Sequence, residues 1–195
     1  SLVNIQIIVP EDLSEKSIKE LVGAAAESCE KLQIASVQAD VTAAAGLKEP
    51  MITVMASGES GSLFESEKAC ADQDIIMAGY TGGYGAAKLT FAKEAQLENS
   101  FHSAFLSPIL EADYTGDAIS TVKAVEAAAA AGVRTMYACG EGGVYSAVWE
   151  LAENAGLGAR IQLKKVPLKQ ETVEICDYFN ISPYQLLSVG AVLLT

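Results

Sequence analysis

The hydrophobic and polar positions at the start of the chain fall into two periods. Leu2, Val3, Ile5, Ile7, Ile8 and Val9 alternate with Asn4 and Gln6 and then run together, and Pro10 ends the run. A period near two predicts a strand. From Glu15 to Leu32 the apolar positions are Ile18, Leu21, Val22, Ala25, Cys29 and Leu32. Spacings of three and four put them on one face of a helix, which predicts a helix with one buried face. Ser14 is placed to cap it, and acidic residues in the first turn offset the helix dipole.

The same reading carries along the chain. Ile34 to Val41 and Met51 to Ala56 predict two more strands, the second opened by Pro50 and ended by Ser57 and Gly58. Gly58 to Glu67 is small and polar and predicts a linker between two halves. Asp74 to Gly79 predicts a short buried strand, followed by a glycine turn and a helix from Ala86 to about Ala95. Phe101 to Glu111 predicts a helix interrupted by Pro108, and Asp117 to Ala131 an Ala-rich helix ended by Gly132. Val133 to Ala138 predicts a strand, and Val144 to Ala155 a helix closed by Gly156 or Gly158. Ala159 to Leu163 predicts a further strand, Gln170 to Phe179 a helix, and Gln185 to Leu194 a last turn and strand. Two αβ blocks result, residues 1–57 and 70–195. Strands alternating with helices argue an α/β or α+β fold with helices covering a sheet.

Composition narrows the function classes. The chain has 195 residues, half of them hydrophobic, enough for one large domain or two small ones. Its formal net charge of −12 repels a phosphate backbone and argues against general nucleic-acid binding. The 4 cysteines (Cys29, Cys70, Cys139 and Cys176) form no C-x-x-C pair, and His102 is the sole histidine. Zinc needs closer-spaced soft ligands, so reduced, mostly buried thiols are expected. His102 reads as a surface histidine and Trp149 as a core or half-buried aromatic. No apolar run reaches the roughly 18 residues of a membrane span. Ser1 to Asn4 lacks the basic start of a signal peptide, so a cytoplasmic protein is expected. The missing initial Met suggests an excised piece of a longer chain.

Three places could carry chemistry. Gly79-Tyr80-Thr81-Gly82-Gly83-Tyr84-Gly85 lies between a strand and a helix, where Gly82, Gly83 and Gly85 could let backbone amides meet a phosphate. Close strand–helix packing is the commoner reason for such glycines. Met136 to Gly143 repeats this logic, with Glu141, Gly142 and Gly143 at the turn. Glu141 could meet a metal or a substrate amine, or simply offset the helix dipole. Cys139, beside that helix N-terminus, could have a lowered pKa, although no base is in view. Asp40, in Gln38-Ala39-Asp40-Val41-Thr42, could help bind Mg²⁺ or be a turn residue. No catalytic residue is assigned.

The order of these segments resembles the aminoimidazole ribonucleotide synthetase (AIR synthase)-related superfamily, and within it the hydrogenase maturation factors of bacteria. The resemblance lies in Asp74 to Gly85, Gly132 to Ile161 and Val166 to Leu194. Its specific marks are Met136 to Gly143, Lys164-Lys165-Val166-Pro167, Glu171 to Cys176, and Ser182-Pro183-Tyr184 followed by Leu186 to Gly190. Residues 3–57 are similar to the second half of the family's N-terminal domain. The resemblance implies a partial AIR-synthase N-terminal-like domain over 1–60 and a C-terminal-like domain over 70–195. It implies ATP and Mg²⁺ held by Asp40, Gly82, Gly83, Gly85, Glu141, Gly142 and Gly143, Asp40 taking the metal. The reaction implied is ATP-dependent activation of an amide-like oxygen, with a homodimer and a protein partner, and no membrane.

The sequence also departs from that family. Its Asp-Asp-Ala-Ala segment would precede Val3 and does not stand in this chain. Its Gly-Gly-His-Thr-Glu stretch is Ser36-Val37-Gln38-Ala39-Asp40 here, and its His, Asp and Thr before the second glycine turn are Tyr137, Ala138 and Gly140. The expectation is a chain without ATP turnover. Two alternatives stand beside the ATP-using relative: a non-catalytic dimerisation or partner-binding module, and a domain binding a nucleotide phosphate or other anion through the glycine turns. The first strand, read as an exposed edge, would support a dimer.

Overall fold

The computed structural model describes residues 2–34, 36–58, 67–111 and 119–195. The chain divides into two compact units, Ser1–Leu63 and Phe64–Thr195.

The first unit is a three-stranded sheet with one helix. Strand β1 (Leu2–Pro10) is followed by helix α1 (Glu15–Lys31), then β2 (Ser36–Ala44) and β3 (Met51–Ser57). The Ser14 hydroxyl accepts from the Ser17 amide at 3.1 Å and caps α1, as its sequence position predicts. Strand order is β2-β1-β3, with β2 parallel and β3 antiparallel to β1. The first strand is therefore not an edge: it is paired on both sides, and β2 and β3 are the edges. The alternation explains this placement. Val3, Ile5, Ile7 and Val9 form the buried row beneath Ile18, Leu21, Val22, Ala25 and Cys29 of α1. A single helix covers one strand's width, so Val37 and Val41 on β2 and Ile52 and Val54 on β3 stay exposed.

The second unit has three layers around a short sheet. Its elements are β4 (Ile76–Ala78), α2 (Gly83–Ala92), α3 (Glu94–Leu97), α4 (Ser103–Leu110), α5 (Val122–Ala130), β5 (Met136–Ala138), α6 (Gly143–Ala155), α7 (Gln170–Tyr178) and β6 (Val192–Leu194). Strand order is β4-β6-β5, and β4 and β5 both run antiparallel to β6. Ile76 and Met136 face the same residue, Leu194, and Ala78 and Ala138 face Val192. The two strand–glycine turn–helix segments thus stand on either side of one central strand. Helix α6 packs Val144, Ala147, Val148 and Leu151 against Leu193 on one face. Ala128 of α5 packs against Val192 and Leu194 on the other. Helices α2, α4 and α7 close a separate cluster around Leu97, Leu106, Ile109 and Ile175.

Several expectations change. Ala159 to Leu163 is not a strand: it is extended without strand pairing and leads into a 3-10 turn at Leu163–Lys165. Helix α2 begins at Gly83 and not at Ala86, and β6 is confined to three residues. Trp149 is 64% exposed and not part of the core, because it points off the α6 face opposite Val148 and Leu151. The linker expected over Gly58 to Glu67 lies largely outside the described residues, as does the expected start of a helix at Asp117; the helix there begins at Val122. No helix among the described residues is long and apolar enough to cross a membrane.

Candidate functional site: two glycine turns around Ser188

Both glycine turns are built alike. Gly82 and Gly142 cap α2 and α6 in the left-handed conformation, at φ 69° and 73°. That backbone favours glycine, because any Cβ would crowd the following carbonyl. Between the turns runs the loop from Pro183 to Ser188, which leads into β6.

This loop accepts from three amides of the turns, and Gly140 accepts from a fourth. The Gly85 amide donates to the Leu187 carbonyl at 3.0 Å, and the Tyr145 amide to the Tyr184 carbonyl at 3.3 Å. The Gly82 amide donates to Ser188 Oγ at 2.8 Å. The Gly143 amide donates to the Gly140 carbonyl at 3.2 Å. A Cβ on Gly85 would lie 2.5 Å from Leu186 Cγ, and one on Gly82 2.8 Å from the Pro183 carbonyl oxygen. Close packing therefore accounts for Gly82, Gly85 and Gly143. Gly83 differs: nothing lies within 4 Å of the place its Cβ would take.

Ser188 is the residue that sequence reasoning assigned no role. It is fully buried. Its hydroxyl meets Thr81 Oγ1 at 3.1 Å, accepts from the Gly82 amide and donates to the Leu186 carbonyl at 2.7 Å. Its amide donates to the Gly140 carbonyl at 3.1 Å. One side chain and its own backbone thus tie the first turn to the second. The available signal was a lone hydroxyl inside the apolar run Leu186-Leu187-Ser188-Val189, since a buried polar group requires partners. A second unforeseen group is the half-buried Glu150 carboxylate on α6, which accepts from Ser146 Oγ at 2.9 Å and from the Tyr137 hydroxyl.

Both acidic candidates are exposed. Glu141 is exposed, just before the α6 cap. Asp40 lies on the exposed strand β2 of the first unit, where Gln38 Nε2 approaches its Oδ2 at 3.5 Å. Its neighbour in register on β1 is Gln6, which in turn faces Thr53 on β3. No cluster of three or more His, Cys, Asp and Glu side chains forms among the described residues. Mg²⁺ prefers a near-octahedral oxygen shell with one or two carboxylates beside phosphate oxygens. One exposed carboxylate among neutral amides and hydroxyls does not fit a resident Mg²⁺.

Cys139 is likewise not an activated thiol. It is buried against α6, and burial pushes its pKa up to about 11; Cys176 is raised in the same way. Desolvation disfavours the thiolate more than the nearby helix N-terminus favours it. With a folded pKa above the unfolded value, this contribution to stability is intact below about pH 9 and is lost as pH rises through about 11. At pH 8 the exposed Cys70 is expected to react with a thiol reagent well ahead of Cys139 and Cys176. Equal rates, read as site-resolved labelling by mass spectrometry, would contradict the burial described.

Comparison with known proteins places this geometry. The family described as AIR synthase related protein, C-terminal domain, matches residues 74–189. A Methanocaldococcus jannaschii protein named for hydrogenase expression/formation is 21% identical over 196 residues, covering 98% of this chain and 55% of that protein. Carbamoyl dehydratase HypE of Rhodobacter capsulatus is 30% identical over 115 residues, covering 59% of this chain and 31% of that protein. The chain thus spans about half, or less, of the length of the curated relatives it matches. Among solved structures, E. coli HypE superposes with a TM-score of 0.74 at 18% identity, over 99% of this chain and 57% of that one. Thiamine monophosphate kinase of Aquifex aeolicus gives 0.69 at 18%, over 100% and 64%. A HypE in complex with ATP gives 0.63 at 13%, over 99% and 56%. At these identities the structures speak for the fold. With the family match covering more than half of the sequence, the chain belongs to the AIR synthase-related family.

Proposed function

We propose that this chain is a partner-binding member of the hydrogenase-maturation branch of the family, without ATP turnover of its own. One observation carries the reading. The Pro183 to Ser188 loop engages the amides of Gly82, Gly85 and Tyr145, which in an open glycine turn would face an anion. Within the second unit Glu141 is the single acidic candidate at a turn. Phosphoryl transfer depends on positioning and on charge neutralisation around the phosphates, and both are thin here. In this reading residues 1–60 are the partial N-terminal-like domain and residues 70–195 the C-terminal-like one.

A relative solved with ATP and another solved as a HypE–HypF complex support nucleotide and protein binding as properties within the family. Of the two, the geometry favours the protein partner. A homodimer through the edge strands β2 and β3 is part of the same reading, supported by exposed Val41, Met51, Ile52 and Val54.

The test is calorimetric titration with Mg²⁺ and ATP, run beside a phosphate-release assay and a light-scattering mass. No phosphate release above background and a dimer mass are expected. Steady release well above background would overturn the non-catalytic reading. Micromolar binding of ATP would return Gly82, Gly83, Gly85, Glu141, Gly142, Gly143 and Asp40 to candidacy as a nucleotide site.

A further inference from the structure

We propose that the two glycine turns are one conformational unit coupled through Ser188, so that displacing either turn displaces the other. This coupling is independent of what either turn binds.

The two turns are alike in sequence and in space. Ala78, Gly82, Gly83 and Ala87 of the first stand at the same spacing as Ala138, Gly142, Gly143 and Ala147 of the second. Ala78 and Ala138 share Val192 as their partner on β6, and Gly82 and Gly142 are both left-handed. One stretch of backbone lies against both. The Leu187 carbonyl accepts from the Gly85 amide of the first turn, and the Tyr184 carbonyl from the Tyr145 amide of the second. Neither turn leaves that stretch any slack. A Cβ on Gly82 would lie 2.8 Å from the Pro183 carbonyl oxygen, and one on Gly143 2.7 Å from that of Leu186. Backbone packed this closely from two sides shifts as a piece and does not deform gradually.

Ser188 divides its bonds between the turns. Its hydroxyl holds the first, through Thr81 Oγ1 and the Gly82 amide, and its own amide holds the second, through the Gly140 carbonyl. The hydroxyl also donates to the Leu186 carbonyl, the oxygen that crowds Gly143. Two hydrogen bonds in series thus run from Leu186 through Ser188 to Gly82. Ser188 is fully buried, with no water to replace a lost partner. Releasing one turn alone would leave buried polar groups unpaired, which costs more than the bond itself is worth. The element that both turns bias is the loop from Pro183 to Ser188, either seated on both or lifted from both.

Native-state amide exchange of the whole chain, followed by NMR over a series of low denaturant concentrations, reads this coupling. The Gly85 and Tyr145 amides report one turn each, and the β6 amides report global unfolding. In the unaltered chain both reporters are expected to open with the same free energy and the same denaturant slope, ahead of β6. Gly143→Ala should speed Gly85 and Tyr145 by the same factor, beyond any change in β6. Ser188→Ala should speed Gly85 about tenfold or more, as expected for unpairing a buried donor, and Gly143→Ala added to it should no longer reach Gly85. Thr81→Val removes one hydroxyl and keeps Ser188. It should weaken the link between Gly143 and Gly85 in the same direction, and it decides the matter if Ser188→Ala does not fold. Different slopes at the two reporters, a Gly143→Ala effect confined to Tyr145, or exchange of either reporter only together with β6 would overturn the coupling. A link left undiminished by Ser188→Ala, or by Thr81→Val where Ser188→Ala does not fold, would overturn the role of Ser188.

Discussion

Replacing Gly143 by Ala is expected to lower stability by about 3 kcal/mol, from the cost of a left-handed residue together with overpacking. Gly143 has φ 63°, and the place of its Cβ is already contested by the Tyr184 and Leu186 carbonyl oxygens. Both belong to backbone held by other hydrogen bonds: Tyr145 donates to the first, and Ser188 Oγ to the second. Neither can swing aside as a flexible side chain could. Gly83, the matching glycine of the other turn, is the control. Its φ is not left-handed and its Cβ site is open, so Gly83→Ala should be neutral or stabilising by up to ~1 kcal/mol through reduced unfolded-state entropy. Denaturant unfolding followed by circular dichroism measures both. Equal losses in the two variants would mean that the turns are not built as described.

Ile7→Ala is expected to cost about 3 kcal/mol, within the usual range for removing a fully buried branched side chain. Ile7 has no exposed surface and sits at the middle of β1, with Ile52 and Val41 as its neighbours in register. Its row, Val3 to Val9, is the main contact of α1 with the sheet, so a cavity there has no second layer to collapse onto it. Ile52→Ala lies on the same face at half exposure and should stay within about 0.5 kcal/mol, as surface substitutions usually do. The readout is amide exchange in β1 together with the unfolding midpoint. A small effect at Ile7 beside a large one at Ile52 would mean that β1 is not the buried centre of this face.

Local pattern was sufficient where neighbours in sequence make the element. Helix α1 follows from apolar spacing and a Ser cap, both set within one or two turns. Helix α6 ends at Gly156 because a residue at φ 68° is needed there. Even the resemblance of Met136 to Gly143 and of Ser182 to Gly190 to one family could be read without coordinates, since those segments carry the family's turns. Alternation misled at Ala159 to Leu163 for a related reason. Period two says that a segment can be a strand, while strand formation needs a partner backbone, and none of the described residues supplies one. Trp149 misled in the other direction: its size suggested burial, and its angular position on α6 put it outside.

The sequence by itself determined the helices, most strands, the acidic character that argues against nucleic acid, and the family. Tertiary structure decided the rest, because each remaining question concerned residues far apart in the chain. It made β1 a central strand, since pairing is chosen between segments and not within one. It raised the Cys139 pKa, since desolvation by α6 and β6 outweighs a local helix end. It also packed the glycine turns, because Ser188, more than a hundred residues after Gly82 (|i−j|=106), accepts from the Gly82 amide and its loop brings the Leu187 carbonyl to the Gly85 amide.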